Sequence, residues 1–193
     1  MTTRRTVSRW GEHGPRPTPL RQNEAIFARF AVSISLEVTC SAAAAYALIT
    51  DITRIGEFSP ECIGATWLDG ATAPRVGARF EGTNLRVAEG AEHVWIRPCT
   101  ITVATPPHRF AYTVGDRYGG APTADWTIDI APVSAHGCRI TQTFQHRPDG
   151  LSGIRHRADR DPDHAEGIVA ARTADLRQGM DVTLHAMQRV LKR

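Results

Sequence analysis

Apolar and polar residues alternate with a period near two through most of the chain between Phe30 and Arg147. The clearest stretch runs from Phe30 to Val38, where five apolar residues alternate with small or polar ones. Because successive side chains of a β-strand point to opposite faces, this alternation predicts strands with one dry face. Seven such strands are predicted, at residues 30–38, 61–68, 77–87, 93–103, 110–114, 124–130 and 138–146.

The period changes in the segment from His164 to Arg193. No proline occurs after Ala165, and the large apolar residues recur at helical spacing. These residues are Val169, Leu176, Met180, Leu184, Met187 and Leu191. The pattern predicts one long amphipathic helix, which needs an apolar partner surface. The sequence therefore predicts an α+β fold in which this helix lies over a seven-stranded antiparallel sheet.

Two short helices are predicted after the first strand. Ser41 stands at an N-cap position before the alanine-rich segment Ala42–Thr50. A second helix is predicted from Asp51 to about Phe58, ended by Pro60 because the residue before a proline avoids helical angles. The segment from Pro148 to about Asp163 is predicted to be a long polar connection.

Residues 1–28 differ from the rest of the chain in composition. They hold arginines, prolines and glycines with little periodicity, which predicts a flexible N-terminal arm. Gln22–Phe27 is a candidate for a short helix leading into the first strand. Residues 29–193 are predicted to form a single folded domain.

Composition and charge exclude several classes of function. Hydrophobic residues make up 41% and charged residues 22% of the chain, as in ordinary globular proteins. The net charge of +3, without a run of five like charges, does not indicate a nucleic-acid surface. No apolar run is long enough for a membrane span. The four cysteines form no C-x-x-C pair, so we expect free thiols in a cytoplasmic protein.

Cofactor and hydrolase motifs are also missing from the sequence. There is no G-x-G-x-x-G or P-loop motif, so no cofactor is expected. The acidic and histidine residues between His156 and His164 fit neither a calcium loop nor a zinc pattern, so no metal is expected. The segment Gly150–Gly153 is one residue short of the G-x-S-x-G nucleophile elbow and lacks its strand-to-helix context, so no hydrolase triad is predicted.

Several short phrases occur in a characteristic order along the chain. They are Gly77–Phe80, Trp95, Thr105–Ala111, Trp126, Gly137–Thr141 and Leu176–Met180. In this order they resemble the START-like, helix-grip (SRPBCC) superfamily, and within it the polyketide cyclase/dehydrase-type proteins common in actinobacteria. The resemblance covers roughly Phe30 to Arg193.

This resemblance implies a cavity between a curved sheet and the terminal helix that holds a hydrophobic small molecule. Known members include lipid carriers, hormone receptors and cyclases that fold polyketide chains, and no single catalytic signature carries over to this sequence. Three functions stay open: a polyketide cyclase/dehydrase, a non-catalytic carrier or sensor, and an interaction module using the arm and the basic segment Arg155–Arg160. A homodimer formed through the arm is also open.

The inward faces of the strands and helix supply candidate ligand contacts. They combine aromatic and aliphatic side chains with a few polar ones, which suits an apolar, oxygenated ligand such as a polyketide or sterol. The predicted ligand-binding residues are Phe80, Asn84, Trp95, Phe110, Trp126, Gln142, Phe144, Leu176 and Met180.

The candidate catalytic residues are His146, Tyr112 and Arg97. A cyclase or dehydratase, which would be a lyase or isomerase without metal, would abstract a proton next to a carbonyl, close a ring and lose water. His146 or Tyr112 would be the acid or base, and Arg97 or Asn84 would stabilise an enolate oxygen. A plainer interpretation makes Arg97 a cavity-mouth residue with a solvated head and His146 a surface histidine at a strand end.

Overall fold

The computed structural model describes residues 19–88, 91–116 and 121–192. The helices are α1 (Pro19–Ala28), α2 (Ala42–Thr50), α3 (Gly153–Arg160) and α4 (Ala165–Leu191), with 3₁₀ helices at Ile52–Glu57 and Pro162–His164. The strands are β1 (Ala31–Val38), β2 (Cys62–Trp67), β3 (Arg79–Ala88), β4 (Ala91–Thr105), β5 (Arg109–Gly115), β6 (Pro122–Ser134) and β7 (Gly137–His146). The predicted seven strands, two short helices and long helix are confirmed.

The strands form one antiparallel sheet in the order β1-β7-β6-β5-β4-β3-β2. From β2 to β7 each strand pairs with the next one in the chain, so this part is a meander. β1 instead pairs with β7, with Ala31 opposite Gln145 and Val38 opposite Cys138. As a result β1 and β2 lie at opposite edges, and α2 with the following 3₁₀ helix connects them across the sheet.

α4 packs against the inner face of the sheet at its β1 edge, where the Gln188 side chain donates to the Glu37 carbonyl at 2.9 Å. Its C-terminal half, through Leu184 and Met187, joins a core cluster with α2 and strands β1 and β3–β7. Its N-terminal half, through Leu176 and Met180, joins a second cluster with α1 and α3. The inner face of the sheet packs along both halves of α4, as the predicted α+β helix-grip fold requires.

The end of the predicted N-terminal arm is helical. The candidate helix Gln22–Phe27 lies inside α1, and Phe27 is completely buried in the second core cluster. Residues 1–18 of the arm and Arg193, where the long helix was predicted to end, lie outside the described residues. The domain boundary at residue 28 stays a prediction, and α1 is packed onto the domain that follows it.

The segment Pro148–Asp163 is not the irregular connection that its polar composition predicts, because it contains α3. The Ser152 hydroxyl caps this helix by accepting from the Arg155 N–H at 3.2 Å. Ala158 is fully buried, and Arg155 is only 3% exposed. The prediction was wrong because the buried face of α3 carries an arginine, which an apolar pattern cannot reveal.

A network of hydrogen bonds to Arg155 offsets the desolvation cost of burying its charge. Its Nε lies 2.9 Å and 3.0 Å from the two carboxylate oxygens of Asp159, and its Nη1 donates to the Pro148 carbonyl at 2.7 Å. Asp159 also accepts from the Asn23 amide of α1 at 2.7 Å. The guanidinium carbon lies 5.3 Å from the centre of the Phe27 ring. A buried charge needs such partners, so the network holds α1 and α3 together.

Substituting Gly150 by alanine should destabilise the domain. A Cβ at this position would lie 2.5 Å from the Thr123 carbonyl oxygen, which belongs to the backbone and cannot easily move. We expect G150A to lower the free energy of unfolding by roughly 2 kcal/mol, measured by urea denaturation. The control is G153A, three residues on, where a Cβ meets nothing within 4 Å. Equal stability of the two variants would contradict the predicted contact.

Candidate functional site: a cavity beneath the terminal helix

A cavity of about 650 Å³ lies between the inner face of the sheet and helix α4. Residues from both core clusters line it, together with α3 and the first 3₁₀ helix. The structure brings every predicted site residue to this wall: Phe80, Asn84, Trp95, Arg97, Phe110, Tyr112, Trp126, Gln142, Phe144, His146, Leu176 and Met180. The strand residues are here because alternation places every second side chain on the inner face of the sheet, and Leu176 and Met180 are here because helical spacing places them on the buried face of α4.

Aromatic rings form much of the wall. The Tyr112 ring packs against Phe80 at 5.2 Å and against Phe110 at 5.7 Å between ring centres. Further along the sheet, Trp126 packs edge-on against Phe144 at 5.2 Å. Such T-shaped and tilted contacts fix the ring orientations and leave a rigid, apolar surface towards the cavity.

Two amide side chains bring polarity to this wall. The Gln142 Oε1 atom is buried and has no hydrogen-bond partner in the described part of the chain. The Asn84 amide donates to the Gly82 carbonyl at a long 3.3 Å. A buried acceptor without a partner costs free energy, so a donor on a ligand or a water molecule would be stabilised at Gln142.

Tyr112 presents a neutral phenol to the cavity. Burial raises its pKa well above the usual range, and the nearby thiols of Cys99 and Cys62 raise it further. Burial also raises the pKa of Cys99 to about 12. No residue that the structure describes hydrogen-bonds the Tyr112 hydroxyl, so it is available to donate to a ligand oxygen.

His146 is buried, and the interpretation as a surface histidine is wrong. It is 1% exposed, because the chain after β7 turns back over it and α1 covers it from the other side. Its ring stacks on Phe30 at 5.6 Å and contacts Phe27 at 4.6 Å. Burial lowers its pKa to about 4, the Arg147 carbonyl opposes that shift, and the Arg155 charge adds to it.

The hydrogen bonds of His146 define its tautomer. Nδ1 lies 2.7 Å from the Arg147 carbonyl oxygen, which can only accept, so Nδ1 carries the proton. Nε2 lies 2.7 Å from the Ser152 hydroxyl and is left to accept from it. His146 is therefore neutral, and the lone pair of its Nε2 atom accepts the hydrogen bond from the Ser152 hydroxyl.

Arg97 lies on the same wall, half-buried, and its guanidinium donates to the Ile96 carbonyl at 3.1 Å. A half-buried guanidinium on this wall is compatible with the expected cavity-mouth role and with a contact to a ligand oxygen.

Two ion pairs that the sequence pattern does not reveal join α4 to the β2–β3 side of the sheet. Arg172 binds the Glu61 carboxylate with both nitrogens at 2.6 Å, and Arg86 binds Asp175 at 2.7 Å. All four residues line the cavity. The partners are 111 and 89 residues apart in the chain, so no local pattern signals them.

Ser152 is the other lining residue that sequence reasoning set aside. The short Gly-x-Ser-Gly segment did not match a nucleophile elbow, yet the structure places this serine against His146. The capping position of Ser152 at α3 was the available signal, and it depended on recognising the helix first.

Among the described residues, no group of three or more His, Cys, Asp or Glu side chains is arranged to hold a metal ion. None of the described helices is long and apolar enough to cross a membrane.

A curved antiparallel sheet around a long C-terminal helix, with an apolar cavity between them, defines the helix-grip class of ligand-binding proteins. The family model described as polyketide cyclase / dehydrase and lipid transport matches residues 29–181. The chain belongs to this family.

Solved structures share this fold. A polyketide-cyclase-like protein of Corynebacterium glutamicum is 29% identical, with 84% of this chain and 91% of that one covered and a TM-score of 0.59. A Mycobacterium smegmatis protein shares the fold at 14% identity, with 86% and 93% covered and a TM-score of 0.56. A protein in the dynemicin biosynthetic locus shares it at 12% identity, with 84% and 47% covered and a TM-score of 0.53. No curated protein matches the sequence.

The buried His146 should make stability depend on pH. As the pH falls from 6.5 towards the folded-state pKa of about 4, the unfolded chain binds a proton that the folded chain excludes. The free energy of unfolding should therefore fall by roughly 2 kcal/mol between pH 7 and pH 5 because of this residue. Urea denaturation of the wild type and H146Q at both pH values measures the difference. A His146 ring signal titrating near 6.5 by NMR would contradict the burial.

Proposed function

We propose that the protein binds a hydrophobic, oxygenated small molecule in the cavity and acts on it as a polyketide cyclase/dehydrase-like enzyme. The observation that carries this proposal is a cavity of about 650 Å³ with aromatic walls, where Gln142 Oε1 and the Tyr112 hydroxyl have no hydrogen-bond partner among the described residues. That volume is within the range of sites for drug-sized ligands. Membership of the polyketide cyclase / dehydrase and lipid transport family supports the same ligand class.

The chemistry would be proton removal next to a carbonyl, ring closure and loss of water. The neutral Tyr112 hydroxyl would donate to the carbonyl oxygen, and His146 would take up the proton through the Ser152 hydroxyl that bonds its Nε2. Arg97 or Asn84 would stabilise the enolate oxygen. General acid–base catalysis of this kind contributes about 10²–10⁴-fold to a rate.

A non-catalytic carrier or sensor is the second candidate, and the electrostatics of the wall favour it. Tyr112, Cys62 and Cys99 all have raised pKa values, and His146 has a lowered one. Each shift favours the neutral form, so the wall is uncharged at these positions and suits passive storage of an apolar ligand. The lipid transport part of the family description agrees with this role. A cytoplasmic location and a homodimer stay predictions for either candidate.

An interaction module has less support, because that role needs no internal space and the cavity is open. The polar network of Arg155 removes this side chain from the basic surface that such a module would use. The ligand-binding functions therefore take precedence.

Filling part of the cavity should weaken ligand binding. Ala65 lines the cavity from β2, whereas its neighbour Thr66 is exposed. We expect A65F to weaken binding of the neutral fluorescent probe N-phenyl-1-naphthylamine at least about tenfold, since its ring would occupy the ligand volume. Fluorescence titration measures this affinity.

The matched control for A65F is T66F, which adds the same ring to the opposite face of the strand. It should bind the probe like the wild type. Native mass spectrometry of purified wild type and A65F provides a second readout, because a co-purified small molecule should be present only in the wild type. Equal probe affinity in the wild type and A65F would refute binding in this cavity.

Removing the Tyr112 hydroxyl should separate the enzyme from the carrier. Y112F keeps the ring and its packing on Phe80, so probe affinity should change less than about threefold. If Tyr112 is the acid, cyclisation of a linear poly-β-ketone thioester should slow about 10²–10⁴-fold. Product formation is followed by liquid chromatography and mass spectrometry. Unchanged turnover in Y112F would exclude the acid role, and no turnover in the wild type would favour the carrier.

A further inference from the structure

Ser152 and His146 form a hydroxyl–imidazole pair on the wall of the cavity. We propose that Ser152 is a nucleophile that accepts an acyl group from an ester or thioester of an apolar acid, with His146 as its general base. This activity rests on the proposed function in one respect, because the acyl chain occupies the same cavity. It adds a covalent step that the cyclase and carrier functions do not need.

The geometry of the pair is that of an activated nucleophile. The 2.7 Å separation between Ser152 Oγ and His146 Nε2 is within hydrogen-bond reach for proton transfer. The Arg147 carbonyl, 2.7 Å from Nδ1, holds the imidazole in the tautomer whose Nε2 accepts. This carbonyl occupies the orienting position that a carboxylate holds in a Ser-His-Asp triad. Phe27 and Phe30 pack on the ring and restrict its rotation.

The start of α3 can stabilise the negative charge that develops on the carbonyl oxygen. The N–H groups of Gly153 and Ile154, in the first turn, have no acceptor inside the helix, and the described residues offer them no other. Both residues line the cavity. The space beside Gly153 is open, since a Cβ there would meet nothing within 4 Å. A substrate carbonyl therefore has room next to Ser152 and donors for its oxygen.

The proposed reaction balances with water as the second reactant. Ser152 Oγ attacks the acyl carbon and gives its proton to His146 Nε2. The carbon–oxygen or carbon–sulfur bond to the leaving group breaks, and the alcohol or thiol leaves with the proton from His146. Water, deprotonated by His146, then attacks the acyl-serine, which releases the carboxylic acid and restores both side chains.

Charged groups around the pair set the expected rate. Arg155 packs on the Phe27 face and forms an ion pair with Asp159, while Asp149 lies in the turn before Ser152. No carboxylate contacts His146 directly in the hydrogen bonds of the described residues. Burial, with the Arg155 charge adding to it, lowers the pKa of the imidazole and makes it a weak base, so acyl transfer should be slower than in enzymes with a complete triad.

The test distinguishes a nucleophile from a helix cap. Wild type is incubated with a short-chain alkyl fluorophosphonate, and the intact mass and the modified peptide are measured. We expect one phosphonyl group per chain on Ser152 and none in S152A. The control is S41A, which removes the cap of α2, where the Ser41 hydroxyl also accepts a backbone N–H at 3.2 Å. S41A should react like the wild type.

The H146Q variant tests the base, because glutamine can accept a hydrogen bond but cannot take up the proton. Its reaction rate should fall at least about 100-fold, with near-ultraviolet circular dichroism used to check the fold. The modified peptide of the wild type identifies the phosphonylated residue even if a variant fails to fold. No modification of the wild type, or modification at another residue, would overturn the proposal.

The short-chain reagent and the fluorescent probe separate this activity from ligand binding. Probe binding without phosphonylation would leave the proposed function standing and remove the nucleophile. Phosphonylation of Ser152 without probe binding would establish the nucleophile and count against a ligand cavity. Hydrolysis of p-nitrophenyl butyrate by the wild type, lost in S152A, is the result expected for full turnover.

Discussion

The mismatch in width between α4 and the sheet determines the rest of this structure. Neighbouring strands lie about 4.8 Å apart, so seven of them span roughly 29 Å. A helix with its side chains is only about 10–12 Å across. α4 packs at the β1 edge and cannot cover the whole inner face. The aromatic residues of the remaining strands therefore face a cavity, and α3 and two ion pairs bound its margins.

Burial keeps the titratable side chains Tyr112, Cys99 and His146 on the cavity wall neutral, while four charged residues of the wall form two ion pairs at its margin. Desolvation is the largest cause of the pKa shifts at Tyr112, Cys99 and His146, and it favours the neutral form in each case. Arg155 is the contrasting case, because it keeps its charge among aromatic and polar partners. The charge anchors α3, which in turn brings Ser152 to His146. The ion pair of Arg155 therefore affects the candidate site indirectly, because it holds α3 in place and α3 carries Ser152.

Local periodicity was enough to predict the strands and the long helix. Alternation placed Phe80 and Trp126 on the apolar faces of their strands, and the resemblance to helix-grip proteins implied that these faces line a cavity. α3 was missed because its buried face holds Arg155 rather than an apolar residue. The environment of His146 was missed because α1 and the turn after β7 bury it, and neither is visible in the strand pattern. The Arg172–Glu61 pair depends on the path of the whole chain.

The sheet order has a consequence for the synthesis of the protein. β1 is made early, but its partner β7 lies more than a hundred residues later, since Ala31 pairs with Gln145. During translation the backbone N–H and C=O groups of β1 that pair with β7 stay unpaired until most of the domain has left the ribosome. An unpaired strand edge is prone to pair with other chains. Long-range pairing of this kind also slows folding. The nascent chain therefore has to pair β1 with β7 before the edge of β1 pairs with a strand of another chain.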